Sequence, residues 1–253
     1  MKKFLLLFSV MLCAVASWAQ TTFTNSDYDE TTFTITDATN HKVSVGVTPN
    51  MQNVIEGGVT IPSTVTDVNG SGITYTVTNF SSNAFVDCPK ITFVQILADL
   101  VDYTATESPF YGCSSLSAFV IRGSSDNTVF KVVDDVLFTA DGKNLVAYPA
   151  AKTATSYTVP ADVEKIYDYA FAGATHLTEI TLPESLTDLG DVTFEGCTSL
   201  TSLTIPANVS SLGSEFISGC SSLETLTIDN PDVLFADQRT KENLIYALDN
   251  CEN

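Results

Sequence analysis

The chain has 253 residues, 44% of them hydrophobic, and its 30 acidic side chains against 11 basic ones give a formal net charge of −19. A field of that sign repels phosphate backbones and anionic membrane surfaces, so the composition excludes nucleic-acid binding. The length allows one or two compact domains or one elongated array. Abundant Thr, Ser, Val and Ile favour strands over long helices.

Residues 1–19 predict a secretory signal peptide. Lys2 and Lys3 precede an apolar stretch that is too short to span a bilayer, and Ser17 and Ala19 then place small residues at the −3 and −1 positions of a cleavage site. A lipid anchor on Cys13 is the alternative, but it needs a small residue immediately before the Cys, and Met-Leu stands there. We expect cleavage after Ala19, no membrane span elsewhere, and a secreted or cell-surface location.

Residues 20–58 predict an N-terminal β cap. TFTIT and KVSVGV flank the tetrapeptide Asp37–Asn40, a pattern typical of a β-hairpin. A polar-faced terminal element of this kind covers the first open edge of a stacked array.

Residues 59–236 contain an internal repeat of 23 residues, which predicts a solenoid. Three columns of identical residues recur at this spacing: Leu177, Leu200 and Leu223; Pro160, Pro183 and Pro206; Gly173, Gly196 and Gly219. One such unit cannot bury its apolar face alone, so successive units must stack, with roughly 4.8 Å between neighbouring strands.

Within one unit, the period-two pattern of a strand points Ile180 and Leu182 inward and Glu179 and Thr181 outward. Pro183 ends the strand because it cannot donate to a strand ladder. Leu186 and Leu189, three residues apart, are further inward side chains that suit a short turn or a second strand, and Phe194 and Cys197 complete the buried ring. Small helical or turn segments are expected between the strands.

Two other segments depart from the repeat. Residues 123–155 form a β island, in which Asp141–Gly142 predicts a tight turn between strands. Residues 237–253 predict a C-terminal helical cap, because Leu244 and Leu248 share one face at helical spacing.

The repeated pattern L-T-x-[IL]-x-[IL]-P-x-x-[VL]-x-x-[IL], followed by Phe and Gly-Cys, resembles the BspA-type leucine-rich repeats of bacterial surface proteins. The resemblance covers about residues 30 to 230 and includes the island. It implies a curved leucine-rich-repeat solenoid at or outside the cell surface, and adhesion to host matrix proteins or other cells. The expected fold class is therefore α/β and β-rich, with a β-hairpin cap at the N-terminus and a helical cap at the C-terminus.

Catalytic and metal motifs are weak, so we expect neither an enzyme nor a cofactor. There is no G-x-S-x-G motif, and the column of Cys88, Cys113, Cys197 and Cys220 has Ala174 in one copy, which favours core packing over catalysis. Two His residues, His41 and His176, cannot form a zinc motif. Two acidic groups are better explained as solvated loops than as calcium sites: Asp27, Asp29 and Glu30, and Asp134 with Asp135.

The outward face of the strands is the candidate binding surface. The residues predicted to take part in binding are Phe93, Gln95, Val120, Glu179, Thr181 and Thr204. The Thr residues also simply suit an exposed strand, whereas exposed Phe and Val indicate a contact patch. The pattern favours a monomeric, non-catalytic protein-binding or adhesion module with an extracellular protein or cell-surface ligand. An exported scaffold without a ligand and a carbohydrate-binding module remain alternatives.

Overall fold

Short strands and stacked turns make up most of the molecule, as the computed structural model shows. The structure describes residues 22–24, 31–47, 52–81, 83–97, 100, 103, 105–122, 129–230 and 232. The predicted signal peptide and the predicted C-terminal helix lie outside these described residues. The strands are β1 (Thr22–Thr24), β2 (Thr32–Asp37), β3 (Lys42–Gly46), β4 (Gly57–Ile61), β5 (Thr64–Thr66), β6 (Thr74–Phe80), β7 (Ile91–Ile96), β8 (Ala118–Ile121), β9 (Phe130–Val133), β10 (Val136–Thr139), β11 (Asn144–Ala147), β12 (Ser156–Thr158), β13 (Lys165–Ile166), β14 (Glu179–Thr181), β15 (Asp188–Leu189), β16 (Ser202–Ile205), β17 (Ser211–Leu212) and β18 (Thr225–Ile228).

The N-terminal sheet has the strand order β1-β2-β3-β6-β5. β2 and β3 pair antiparallel, so the expected hairpin is present. Its turn is held by Asp37, whose Oδ1 accepts hydrogen bonds from the backbone N–H groups of Thr39 and Asn40, both at 3.0 Å. The Asn40 side chain also donates a hydrogen bond to Asp37. This bond, and then the backbone bonds, lower the pKa of the Asp37 carboxyl. β3 then pairs parallel with β6, which joins the hairpin to the first repeat.

Two parallel sheets form the main strand face of the repeats: β4-β7-β8 and β12-β14-β16-β18. Their side chains alternate between core and solvent, because successive residues of a strand point to opposite faces. In β16, Leu203 and Ile205 are buried while Thr204 is exposed. In β14, Ile180 is buried and Glu179 and Thr181 are exposed. The predicted inward and outward positions of these strands are therefore confirmed.

A second ladder runs along another side of the repeats. The two-residue strands β13, β15 and β17 stack parallel and continue onto the island strands β11, β10 and β9. Each contributes one inward apolar residue at the same repeat position: Ile166, Leu189 and Leu212. The sequence predicted Leu189 to point inward, and it is buried.

The third side consists of turns. Small helices were predicted there, and for the described residues between β12 and β18 that prediction is wrong. One non-glycine residue per repeat has a left-handed backbone, as at Tyr169 (φ 60°) and Val192 (φ 55°), and this ends a right-handed helical path. Backbone amides consequently bond to the next repeat. The Phe171 N–H donates to the Thr193 carbonyl at 2.9 Å, and the Gly173 N–H donates to the Glu195 carbonyl at 2.7 Å.

The island is an antiparallel β insertion within the stack. β9 and β10 pair antiparallel across Asp134 and Asp135, whose φ angles of 50° and 65° are those of a two-residue type I′ turn. β10 and β11 pair antiparallel around the predicted turn, where Gly142 has a φ of 75°. β11 then pairs parallel with β13, so the island re-enters the ladder of the repeats.

Candidate binding surface

Three of the six predicted surface residues lie together on the four-stranded sheet. The strand register places Glu179 beside Ser202 and Thr158 beside Thr181. Thr181 and Thr204 each lie two residues further along these strands and point to the same outward face. These side chains are exposed, and the hydrogen-bonded ladder fixes the backbone beneath them. The result is a rigid polar face with its side chains in regular columns.

The other three predicted residues lie on the three-stranded sheet. Gln95 pairs with Val120, and Phe93 pairs with Ala118 on the same two strands. Gln95 and Val120 are half-buried. The structure therefore brings the six residues together as two groups of three, and no strand pairing within the described residues joins the two sheets.

Phe93 is 40% exposed, and its ring has a structural partner. Gly58 on the neighbouring strand β4 is paired with Phe93, and a methyl group built on Gly58 would overlap that ring. The ring therefore lies over the glycine and covers a backbone that lacks a side chain of its own. Its exposure is thus partly explained by packing, and the remaining exposed surface is available for contact.

The tip of the island lies at the boundary between the two sheets. The Phe119 N–H donates to the Asp135 carbonyl at 3.1 Å, and Lys152 Nζ lies 2.7 Å from Asp135 Oδ2. On the four-stranded side, burial and then the charge of Asp134 raise the pKa of Tyr157. The outward face is therefore apolar around Phe93, charged at the island and hydroxyl-rich beyond it.

The turn side carries a cleft that the sequence analysis did not identify. It has a volume of about 270 Å³ and is lined by Tyr111, Gly112, Cys113, Ser114, Ala150, Ala172, Gly173, Glu195 and Gly196. Here the island contributes Ala150, whose Cβ would lie 3.8 Å from a methyl group at Gly173. The sequence held one signal of this cleft: the recurring Gly-Cys positions of the repeats are interrupted between residues 113 and 174.

A tyrosine and a carboxylate bridge this cleft. The Tyr111 hydroxyl donates to Glu195 Oε2 at 3.0 Å, and the ring centroids of Tyr111 and Tyr169 lie 4.4 Å apart. Burial, followed by the hydrogen bond and charge of Glu195 and the charge of Asp87, raises the pKa of Tyr111 to about 12. The phenol therefore remains protonated and donates throughout the neutral pH range.

The repeat cysteines are core residues. All four described cysteines are buried free thiols, which agrees with the free Cys197 and Cys220 expected from the sequence. Each of these two thiols donates to a backbone carbonyl, Cys197 to Phe171 at 3.3 Å and Cys220 to Phe194 at 3.2 Å. Burial raises the pKa of Cys197, which disfavours the reactive thiolate.

Neither a metal site nor a membrane helix is found in the described part of the chain. No group of three or more His, Cys, Asp or Glu side chains there is arranged to hold a metal ion. His41 and His176 are both exposed. No helix among the described residues has the length and apolar character needed to cross a membrane.

Parallel strands one repeat apart, a buried column of Leu and Phe, and stacked turns define a leucine-rich-repeat solenoid. The family model of the BspA-type leucine-rich repeat region matches six copies at residues 59–132 and 147–237, more than half of the chain. The chain belongs to the BspA-type leucine-rich repeat family. The gap at 133–146 contains β10 and lies within the predicted island.

Solved structures of bacterial leucine-rich repeat proteins are similar to the chain. One from Eubacterium ventriosum is 20% identical with a TM-score of 0.45, covering 83% of this chain and 73% of that one. One from Bacteroides ovatus is 22% identical with a TM-score of 0.41, covering 78% and 51%. The pneumococcal vaccine antigen PcpA is 18% identical with a TM-score of 0.38, covering 83% and 82%. No curated protein matches the chain.

Proposed function

We propose that the chain is a non-catalytic protein-binding module that works in adhesion at the cell surface or after secretion. The observation that carries the proposal is the outward face of β12, β14, β16 and β18. Its exposed side chains stand in register on a backbone that the strand ladder holds in place. A preorganised face loses little conformational freedom on binding, so more of its contact energy appears as affinity.

The size of this face predicts how far a partner must extend. Four strands of three or four residues cover roughly 15 Å by 10 Å, whereas a stable protein interface buries about 800 Å² per partner. A partner therefore has to reach across the island to the group formed by Phe93, Gln95 and Val120. That group adds apolar contact area, which the Thr-rich sheet lacks.

The proposed location follows from the amino-terminal residues and the charge. The expected signal peptide at residues 1–19 would direct export, and its removal leaves nine basic against 30 acidic side chains. We further propose that the exported chain acts as a monomer and that its partner is an extracellular protein or a ligand on another cell.

A binding screen tests the proposal. The chain from residue 20 to 253, immobilised through a terminal tag, is exposed to purified matrix proteins and to cells of co-resident bacteria. We expect saturable binding to at least one of them. Absence of saturable binding across the screen would favour the alternative of an exported scaffold without a ligand of its own.

Two surface variants then locate the binding face. Thr204→Arg on β16 and Gln95→Arg on β7 place a bulky charge on each half of the outward face, and we expect each to weaken binding at least about tenfold. Ser211→Arg is the matched control, because Ser211 is an exposed strand residue on the second ladder. Equal weakening by all three variants would contradict the assignment of this face.

A further inference from the structure

The cleft on the turn side has a size and shape suited to one side chain. Its volume of about 270 Å³ is below the range of roughly 300–1,000 Å³ typical of small-molecule sites. Ala150, Ala172, Gly173 and Gly196 give it apolar walls of small residues, and Tyr111 stands at its side. A slender side chain with an apolar stem fits these walls.

Two carboxylates lie at the cleft, one lining it and one against a lining glycine. Glu195 lines it and is oriented by the Tyr111 hydroxyl at 3.0 Å. The carboxylate of Asp87 lies against Gly112, a lining residue, where a methyl group would overlap its Oδ1. The cleft therefore has one acidic group fixed at its wall and a second at its rim.

Further acidic side chains act on Tyr169 beside the cleft, namely Glu107, Asp168 and Asp191, and they outnumber the one basic neighbour of Asp168, which is Lys165. Asp168 lies near Asp191 and Glu107, and burial together with the charges of these two neighbours raises the pKa of the Asp168 carboxyl. Three ion pairs occur among the described residues, and they involve Glu56, Glu164 and Asp135, none of which lines the cleft. A cation from outside the chain would be attracted here.

The tyrosine pair adds a preference for a planar cation. The rings of Tyr111 and Tyr169 lie 4.4 Å apart beside the carboxylate of Glu195. A guanidinium group can stack on an aromatic ring while its N–H groups bond to a carboxylate, and an ammonium group cannot do both with the same geometry. Arginine is therefore the basic side chain that these neighbours suit best.

We propose that this cleft is a docking site for an arginine side chain of an extracellular protein partner. The apolar stem lies against Ala150 and Ala172, and the guanidinium stacks on Tyr111 and bonds to Glu195. The site is on the turn side, so it does not depend on the outward strand face of the proposed function.

A charge-neutral analogue of arginine tests this directly. The probes are a capped Gly-Ser-Arg-Gly-Ser peptide and the same peptide with citrulline, which keeps the shape and removes the charge. At physiological salt, the arginine peptide should shift the ring NMR signals of Tyr111 and Tyr169 in a saturable way, and the citrulline peptide should not. Equal shifts with both peptides, or no shift with either, would overturn the proposal.

Matched variants separate the cleft from the overall negative charge. Glu195→Gln should weaken binding of the arginine peptide by at least about fivefold. Glu184→Gln removes the same charge from an exposed turn that does not line the cleft, and it should change binding less than about twofold. Ala172→Leu should abolish binding with no change of charge, because the larger side chain fills the cleft. Wild-type binding by Ala172→Leu, or equal weakening by the two Gln variants, would show that the cleft is not the site.

Discussion

Single residues in the turns show how closely the repeats approach one another. The carboxylate of Asp168 accepts a hydrogen bond from the Asp191 N–H at 2.9 Å, and Asp191 in turn accepts one from the Ser214 N–H at 2.6 Å. A methyl group on Gly213 would overlap the backbone of Gly190 one repeat earlier. Such contact between stacked backbones leaves the acidic side chains there partly buried.

We expect Asp168→Asn to stabilise the protein at neutral pH. Burial, together with Asp191 and Glu107, raises the pKa of Asp168 above its ordinary value of 3.8, so the charged carboxyl is disfavoured in the fold. The resulting loss of stability is present at pH 7 and disappears as the pH falls through the raised pKa. Asparagine keeps the acceptor for the Asp191 N–H without the charge.

Urea melts at two pH values measure this effect. At pH 7 the free energy of unfolding should rise by about 0.5 kcal/mol, and at pH 3 the variant and the wild type should have similar stability. Asp229→Asn at an exposed position is the control and should leave both values unchanged. A destabilised Asp168→Asn at pH 7 would mean that the negative charge itself supports the turn.

At the scale of elements, strand identity and side-chain direction were predictable, and the connections were less so. The alternation in β14 and β16 is local, because two successive side chains of any strand point to opposite faces. The expected small helices are wrong because the turn amides bond to the following repeat, about 22 residues away, as from Phe171 to Thr193. Propensity within one unit carries no information about such a partner.

Two adjacent residues of β16 point to opposite faces of the sheet, so their substitutions should differ in their effect on stability. Leu203 is buried between neighbouring repeats, so Leu203→Ala should lower the free energy of unfolding by about 2–5 kcal/mol through lost burial and the cavity left behind. Thr204 points to solvent, and Thr204→Ala should stay within about 0.5 kcal/mol of the wild type. Urea melts of the two variants check this. Equal midpoints would show that the inward and outward faces are misassigned.

At the scale of the whole molecule, the island divides the outward strand face and contributes to the cleft on the turn side. It separates the β4-β7-β8 sheet from the β12-β14-β16-β18 sheet and places Asp134 and Asp135 at their boundary. It also brings Ala150 into the cleft on the turn side. The domain boundaries predicted at residues 58 and 236 remain predictions.

Export of the chain and its processing are predictions for the intact protein. Expression in a bacterial host with a complete export pathway should yield a protein that begins at Gln20 and carries no lipid, because Leu12 before Cys13 is a poor fit to a lipid-attachment site. The intact mass of the exported protein measures this. A diacylglyceryl group on an amino-terminal Cys13 would contradict it, and an unprocessed Met1 would argue against export.

The sequence by itself determined the repeat period, the stacked architecture, the burial of the Cys column and the direction of the strand side chains. Each of these follows from residues within one unit or at a constant spacing of 23, so a linear pattern contains them. Only the tertiary structure decided the turn conformations, the division of the outward face and the cleft. Tyr111 and Glu195 are 84 residues apart, and they meet because the turn at Thr106 and Ser108 bonds directly to Asp168 on the far side of the inserted island. A contact across the island does not have the constant spacing of 23, which is why the repeat pattern could not reveal it.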